Sequence, residues 1–573
     1  MKRITFGTPE KLVPSAFCDT FSYCEGDISY PVSLIGFKTN ARGCRLEFPI
    51  RGDEHFYGLG LQLKAFELTG KHYVTRVNAD PIAETGDSHA PVPFFVSTGG
   101  YGIYIDTARY AEFDFGRKRV SDMASTQPEN RIMTSTDELY AVKELQRDSV
   151  ISVQIPAAKG VDIYIIEGKN ITDIVRQYNM LSGGGCDAPE WGLGTLYRCC
   201  SKYSQERVEQ TAKYFREKNI PCSILGLEPG WQTHSYSCSF KWNSELYPDP
   251  KGMVDRLTDM GYHINLWEHA FTHPSSDIYE PLKKSGKYAD YEVWGGLVPD
   301  LTFDEAKDIF VSHHKNKVLF GKIDGFKLDE CDGSDFTRGW SFPLGTEFPG
   351  GLDGEQYHSL FGTLYMKTML KALDGKPTLS EVRNAGALAA SYPFVLYSDL
   401  YAHKDFIRGL ATAGFSGLLW TPELRHATSR EDLLRRLQSV VFSPQCLINA
   451  WYCDAYPWIE HNCEDEVREL LTERERLIPK LMKAFKLYKS EGIPPVRALV
   501  SDYSSDPETY KIDDEYLFCD DMLVAPMICC ETKRRVYLPK GEWRDYYSDT
   551  VYSHGWIEVE TEKIPVFIKN QVI

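Results

Sequence analysis

From about residue 186 to 490 the chain alternates short apolar runs with amphipathic stretches, and that alternation constrains the fold more than any other feature. The apolar runs are TLYRCC, SILGLEP, HINLWEHA, GFKLDE, TLSEVRN, FVLYSD, GLLWTPE and CLINAW. Between them lie QERVEQTAKYFREKN, GMVDRLTDMG, LFGTLYMKTMLKAL, KDFIRGLATAG and SREDLLRRLQSVV, with apolar residues at three- and four-residue spacing. Short runs without polar alternation are strands covered on both faces, and helical crossovers are what parallel strands need. Eight such strands in about 300 residues is the count of a (β/α)8 barrel.

The flanks read differently. Residues 1–185 alternate short apolar runs (RLEFPI, YGIYIDT, SVISVQIP) with Gly, Asp, Asn and Thr turns, and only 171–181 has helical spacing, so an N-terminal antiparallel β-sandwich is expected. The barrel is expected over 186–490, and its last helix, EVRELLTERERLIPKLMKAFKLYKSEG, leads into a small C-terminal β-domain over 491–573. Two connections, 271–315 and 331–355, are rich in aromatics, Gly and Pro and are expected to project as loops beside the barrel mouth.

Sixty-four basic against 81 acidic residues give a formal charge of −17, which disfavours nucleic acid and anionic membrane surfaces as partners. The amino terminus lacks a signal-length apolar stretch and no segment approaches a membrane span, so a cytoplasmic protein is expected. The 15 cysteines are scattered, with adjacent pairs at Cys199-Cys200 and Cys529-Cys530, a pattern that suits reduced, buried thiols. None pairs in CxxC spacing, so no metal is expected.

A barrel performs its chemistry at the C-terminal ends of its strands. Here those ends carry Glu228, Trp231, Trp267, His269, Lys327, Asp329, Glu330, Arg383, Asp399, Glu423 and Asn449, polar or aromatic residues that a buried strand does not need. One aspartate after an apolar strand is commonly a helix N-cap, and His269 and the tryptophans could serve the core. Several carboxylates converging with one lysine and one arginine suit glycosyl transfer, in which one carboxylate attacks the anomeric carbon and a protonated one serves the leaving oxygen. Lys327 lies two residues before Asp329, so on a strand both point the same way and the ammonium is expected to hold the aspartate ionised. Asp399 ends a very apolar strand, where desolvation is expected to raise its pKa.

These residues resemble glycoside hydrolase family 31, and the resemblance runs along nearly the whole chain. FYGLGLQ and PFFVSTGGYGIYI are similar to the family's sandwich-domain pattern, PEWGLGTLYRCC through WNSELYPDPKGMVDRLTDMGYHINLW to its first three barrel strands, and FCDDMLVAPMICC through IPVFIK to the domain after the barrel. The resemblance implies that Asp329 is the nucleophile and Asp399 the general acid/base of a retaining α-glycosidase. The carboxyls would then lie roughly 5–5.5 Å apart. It implies that Glu228, Trp231, Trp267, Lys327, Glu330, Arg383, Glu423 and Asn449 bind a small carbohydrate. Asp80 in RVNAD aligns with a sandwich-domain aspartate that reaches the pocket in some members. No cofactor is implied, self-association is common among members, and the end of the chain shortly after IPVFIK implies a compact member.

The departures concern ring recognition. Glu228 and Glu423 replace aspartates, Asn449 stands where a histidine is expected, Leu396 where a tryptophan is common, and Tyr397-Ser398 where a Gly-Gly pair is usual. The sugar therefore stays open among galactose, xylose, glucose and their derivatives. An α-glucan lyase, a transglycosylase and an inactive sugar-binding homologue are the alternative readings.

Overall fold

The computed structural model describes residues 1–118, 149–334 and 339–570, and part of the 331–355 connection therefore lies outside the described residues. The parallel sheet forms from eight strands: β1 (Thr195–Arg198), β2 (Ile224–Leu227), β3 (His263–Glu268), β4 (Gly325–Leu328), β5 (Ser380–Val382), β6 (Phe394–Leu396), β7 (Glu423–Leu424) and β8 (Cys446–Asn449). Their spatial order is β6-β5-β4-β3-β2-β1-β8-β7. The ring closes between β6 and the segment before β7. There the Leu396 amide donates to Leu419 O at 2.9 Å and the Thr421 amide to Leu396 O at 3.0 Å. All eight expected strands are present in a closed (β/α)8 barrel.

The crossovers show why the periodic segments fold as helices. Gln205–Glu217, Gly354–Leu373 and Arg430–Val441 begin at Ser204, Asp353 and Ser429, each of which accepts a backbone N–H from the first turn. Those side chains satisfy donors that a helix start otherwise leaves unpaired. The helix that ends the barrel spans Glu464–Glu491 and stops at Gly492, whose φ of 76° is the left-handed conformation glycine adopts at least cost. Strand β5 passes to β6 through 383–393 without a helix. The 271–315 connection is a correction: it holds a helix (Tyr279–Ser285), a hairpin (Tyr288–Val293 with Gly296–Pro299) and the crossover helix Asp304–His313.

Among the described residues, two five-stranded antiparallel sheets precede the barrel. Phe56, Phe95, Ile103 and Ile163 of one pack with Leu46, Phe48, Phe113 and Ile151 of the other. Successive strand residues face opposite sides, so Phe94 and Tyr104 point away from that core and toward the helix Ile171–Met180 that precedes the barrel, where Phe94 stacks on Tyr178 at 4.1 Å. Burial on both faces explains why Pro91–Ser97 shows no polar alternation. A six-stranded sheet follows the barrel. Among the described residues no helix is long and apolar enough to cross a membrane.

Candidate active site

Strand register places the reactive groups. Asp329 directly follows β4, and its amide donates to Glu268 O of β3 at 2.9 Å, so the sheet hydrogen bonding itself fixes the residue at the barrel mouth. The Asp329 side chain is largely enclosed and that of Asp399, three residues past β6, is half exposed. Trp267, near the end of β3, donates its indole N–H to Asp329 Oδ2 at 2.6 Å. Trp231 lies behind it, donating to the Trp267 carbonyl at 2.6 Å.

Arg383, one residue past β5, lies between the two aspartates. Its Nη1 hydrogen-bonds Asp399 Oδ2 and approaches Asp329 Oδ1 at 3.7 Å, while its Nε donates to Asp332 Oδ2 at 2.9 Å. Asp332 is also bound by His89 Nδ1 at 2.8 Å, and His89 Nε2 pairs with Ser398 Oγ at 2.7 Å. His89 and Asp332 are fully buried, so the sandwich domain is locked into the support of Arg383. Burial alone would push the Asp332 carboxyl up, but Arg383 and His89 together hold it below the usual carboxylate range.

The expectation for Asp399 is overturned in its sign. Desolvation does push its pKa up, yet the charges of Arg383 and Lys327 outweigh it and hold the carboxyl well below its ordinary value. Glu330 behaves in the opposite way: burial and the neighbouring Asp329 charge drive its pKa well above the usual range, with Arg383 too weak to offset them. Its φ of 56° is left-handed, an uncommon conformation for a residue with a Cβ, and marks a sharp turn immediately after Asp329.

Lys327 is a second correction. Its ammonium pairs with Glu228 Oε2 at 3.0 Å rather than with Asp329. Glu228 Oε1 accepts from Arg198 Nη1 at 3.0 Å, and Arg198 Nη2 pairs with Glu381 and donates to Asn265 at 2.8 Å. Tyr397 joins this floor to the reactive end, with Lys327 Nζ 5.0 Å and the Arg383 guanidinium carbon 5.4 Å from its ring centre. Across the mouth, Asn449 donates to Glu423 at 2.8 Å, and Arg425 donates to the Asp399 carbonyl at 2.6 Å.

His269 is a buried, satisfied histidine: its Nε2 meets Ser235 O at 2.9 Å and burial lowers its pKa to about 3, so the ring is neutral. It meets Trp267 edge-on, with ring centres 5.4 Å apart, and lies tilted against Trp294 of the 288–299 hairpin at 5.2 Å, which brings that insertion to the mouth. Asp80 is exposed; its amide donates to Asn78 Oδ1 at 3.1 Å, and none of its contacts among the described residues reaches the carboxylates. Sequence reasoning missed Arg198, Glu381, Asp332 and His89. Arg198 and Glu381 carry the strand-end signal applied to the others, whereas nothing local marks His89. The cysteines are unpaired, as expected, but Cys24 and Cys530 are exposed and Cys453 and Cys529 half-buried, so burial does not hold for all of them.

Comparison with known proteins agrees with this architecture. Residues 187–484 match the glycosyl hydrolases family 31 TIM-barrel domain, 492–573 its C-terminal domain and 35–114 its N-terminal galactose mutarotase-like domain. An alpha-xylosidase of Emericella nidulans is 23% identical over 543 residues, covering 90% of this chain and 65% of the relative, so the chain spans just under two thirds of that protein's length. A Flavobacterium johnsoniae dextranase complexed with glucose superposes with a TM-score of 0.79 at 24% identity, covering 93% of this chain and 67% of the other. A cycloalternan-degrading enzyme from Trueperella pyogenes in complex with a covalent intermediate superposes with a TM-score of 0.77 at 20% identity, over 96% of this chain and 81% of its own. With its barrel and both flanking domains matched in order, the chain belongs to glycosyl hydrolase family 31.

Proposed function

We propose that this protein is a retaining α-glycosidase in which Asp329 is the nucleophile and Asp399 the general acid/base. The observation that carries the reading is the position of Arg383 Nη1 between the two carboxylates, which keeps their facing oxygens within two contact lengths of each other. That supports the shorter carboxyl separation of retaining enzymes, roughly 5–5.5 Å, over the 6.5–9.5 Å or so that leaves room for an inverting water. The structural neighbour captured with a covalent intermediate supports the same two-step course.

In the first step an Asp329 oxygen bonds to C1 of an α-linked sugar as the bond from C1 to the leaving oxygen breaks, and Asp399 gives that oxygen its proton. In the second, Asp399 takes a proton from water as the water oxygen bonds to C1 and releases Asp329, so configuration is retained. The free protein holds Asp399 ionised through Arg383, which is the form the second step uses. A sugar entering the gap excludes water from the half-exposed Asp399 and loosens its contact with Arg383, and both changes raise its pKa toward the acid form the first step needs. Trp267 orients the attacking carboxylate, and Glu228, Lys327, Glu423 and Asn449 face the ring. The unpaired state of all 15 cysteines supports a reducing compartment such as the cytoplasm.

The test is a panel of nitrophenyl α-glycosides (galactoside, xyloside, glucoside) assayed with the wild type and Asp329→Ala, with product configuration followed by NMR. Hydrolysis to the α-anomer that disappears in the variant is expected. Unchanged hydrolysis in Asp329→Ala refutes the assignment, an initial β-anomer refutes retention, and an unsaturated or anhydro sugar identifies a lyase.

A further inference from the structure

Cys529 and Cys530, in the domain after the barrel, take no part in the proposed chemistry, yet their sulfurs lie 3.5 Å apart. In an extended chain adjacent side chains point to opposite sides. Here Cys530 adopts a φ of 71°, a left-handed conformation uncommon for a residue with a side chain, and both thiols turn to one side. Facing them is Glu431, in the first turn of the barrel helix Arg430–Val441; one of its oxygens accepts the Cys530 amide at 3.0 Å. The two sulfurs and a Glu431 oxygen all lie within 4.8 Å of one another.

We propose that Cys529, Cys530 and Glu431 form a binding site for a thiophilic divalent cation of the zinc class, with the fourth coordination position left to water. Two thiolates bound tetrahedrally at about 2.3 Å each sit roughly 3.8 Å apart, close to the observed spacing, whereas disulfide sulfurs sit about 2.0 Å apart. Two soft sulfur donors with a single carboxylate discriminate against magnesium and calcium, which take oxygen-only shells. The adjacency of the two cysteines escapes the usual CxxC spacing, because here the left-handed backbone, not a two-residue gap, makes the thiols converge.

The location gives the site a consequence. Glu431 belongs to the barrel and the cysteines to the following domain, so a bound ion ties the two together. Arg435, one helical turn along, already spans the same seam by donating to Glu531 O and Glu562 O at 2.9 Å each. An ion held only by the folded arrangement stabilises it by RT ln(1 + L/Kd), L being the free ion concentration, so the unfolding midpoint keeps rising as the free ion exceeds its Kd.

The experiment uses the full, reduced, metal-free chain titrated with cadmium, read by thiolate-to-cadmium charge-transfer absorbance, and with zinc, read by the thermal midpoint. One equivalent of cadmium and a zinc-dependent rise in midpoint are expected, both lost in a Cys529→Ser/Cys530→Ser double variant and weakened in Glu431→Gln. The remaining 13 cysteines serve as the internal control (15 − 2 = 13). Binding that persists undiminished in the double variant, an absence of stoichiometric binding to the wild type, or a zinc-dependent midpoint shift that is unchanged in the double variant overturns the proposal.

Discussion

Arg383 donates a hydrogen bond from Nη1 to the carboxylate of Asp399 and, with the nearby charge of Lys327, holds it in the ionised form from which the proposed reaction starts. Since the folded pKa of Asp399 is depressed, the pairing contributes stability above the unfolded carboxylate pKa of about 3.9, and this is lost as pH falls through the lower folded value. For the rate the sign is opposite. Protonation of a poor leaving group needs the acid form, so the cation pulls the alkaline limb of kcat/KM down. Arg383→Gln is expected to shift that limb to higher pH while lowering its maximum, and Arg383→Lys, which keeps the charge, to shift it less. A pH–rate series on an alkyl α-glycoside measures this; an alkaline limb unmoved in Arg383→Gln contradicts the role given to Asp399.

The Trp267 indole N–H bond to Asp329, at 2.6 Å in a largely enclosed place, orients and stabilises the charged carboxylate. A hydrogen bond to a charged group contributes roughly 1.5–3 kcal/mol, so Trp267→Phe is expected to lower kcat/KM by about 10- to 100-fold, chiefly through kcat. Kinetics on a nitrophenyl glycoside, where leaving-group protonation matters little, isolates the effect on the nucleophile. A rise in KM alone, with kcat unchanged, assigns the ring to sugar binding instead.

Much of this centre is legible in sequence because it obeys a local rule. A residue at the end of a barrel strand faces the mouth whatever its neighbours do, so Asp329, Arg383 and Asp399 stand out once the eight runs are counted. What a charge pairs with is not local. Lys327 and Asp329 share a strand face, as alternation requires, but the ammonium is taken by Glu228 from β2, and the pKa of Asp399 follows a guanidinium arriving from β5 rather than the apolar strand it ends. His89 is harder still, since its site depends on how two domains dock. The 271–315 segment read as loop because aromatics and glycines obscure the alternation of a short hairpin built to lean over the mouth.

His89 is expected to act on catalysis through Asp332 and Arg383, since it touches neither of the reacting aspartates. His89→Ala deprives the buried Asp332 of one partner and frees Arg383 to shift relative to Asp329 and Asp399. A fall in kcat with KM nearly constant is expected, together with a displaced pH profile, and His89→Asn, which can still donate near the Nδ1 position, is expected to recover part of it. An equal loss of folded protein in both variants with a normal profile for what remains reduces His89 to a docking residue.

The floor of the site is a buried set of four charges, Arg198 and Lys327 against Glu228 and Glu381, whose sum is zero. Removing one member leaves a net charge out of water, at a cost of about 3–5 kcal/mol for a buried pair. Lys327→Met and Glu228→Gln are each expected to destabilise the protein on that scale. The double variant is again neutral, so its loss is expected to be smaller than the sum of the singles by roughly 1–3 kcal/mol, the size of coupling between residues in one network. Denaturant unfolding of the four proteins, followed by tryptophan fluorescence, measures the difference. Strictly additive losses show that Lys327 and Glu228 do not compensate each other, and Glu228 is then held by Arg198 alone.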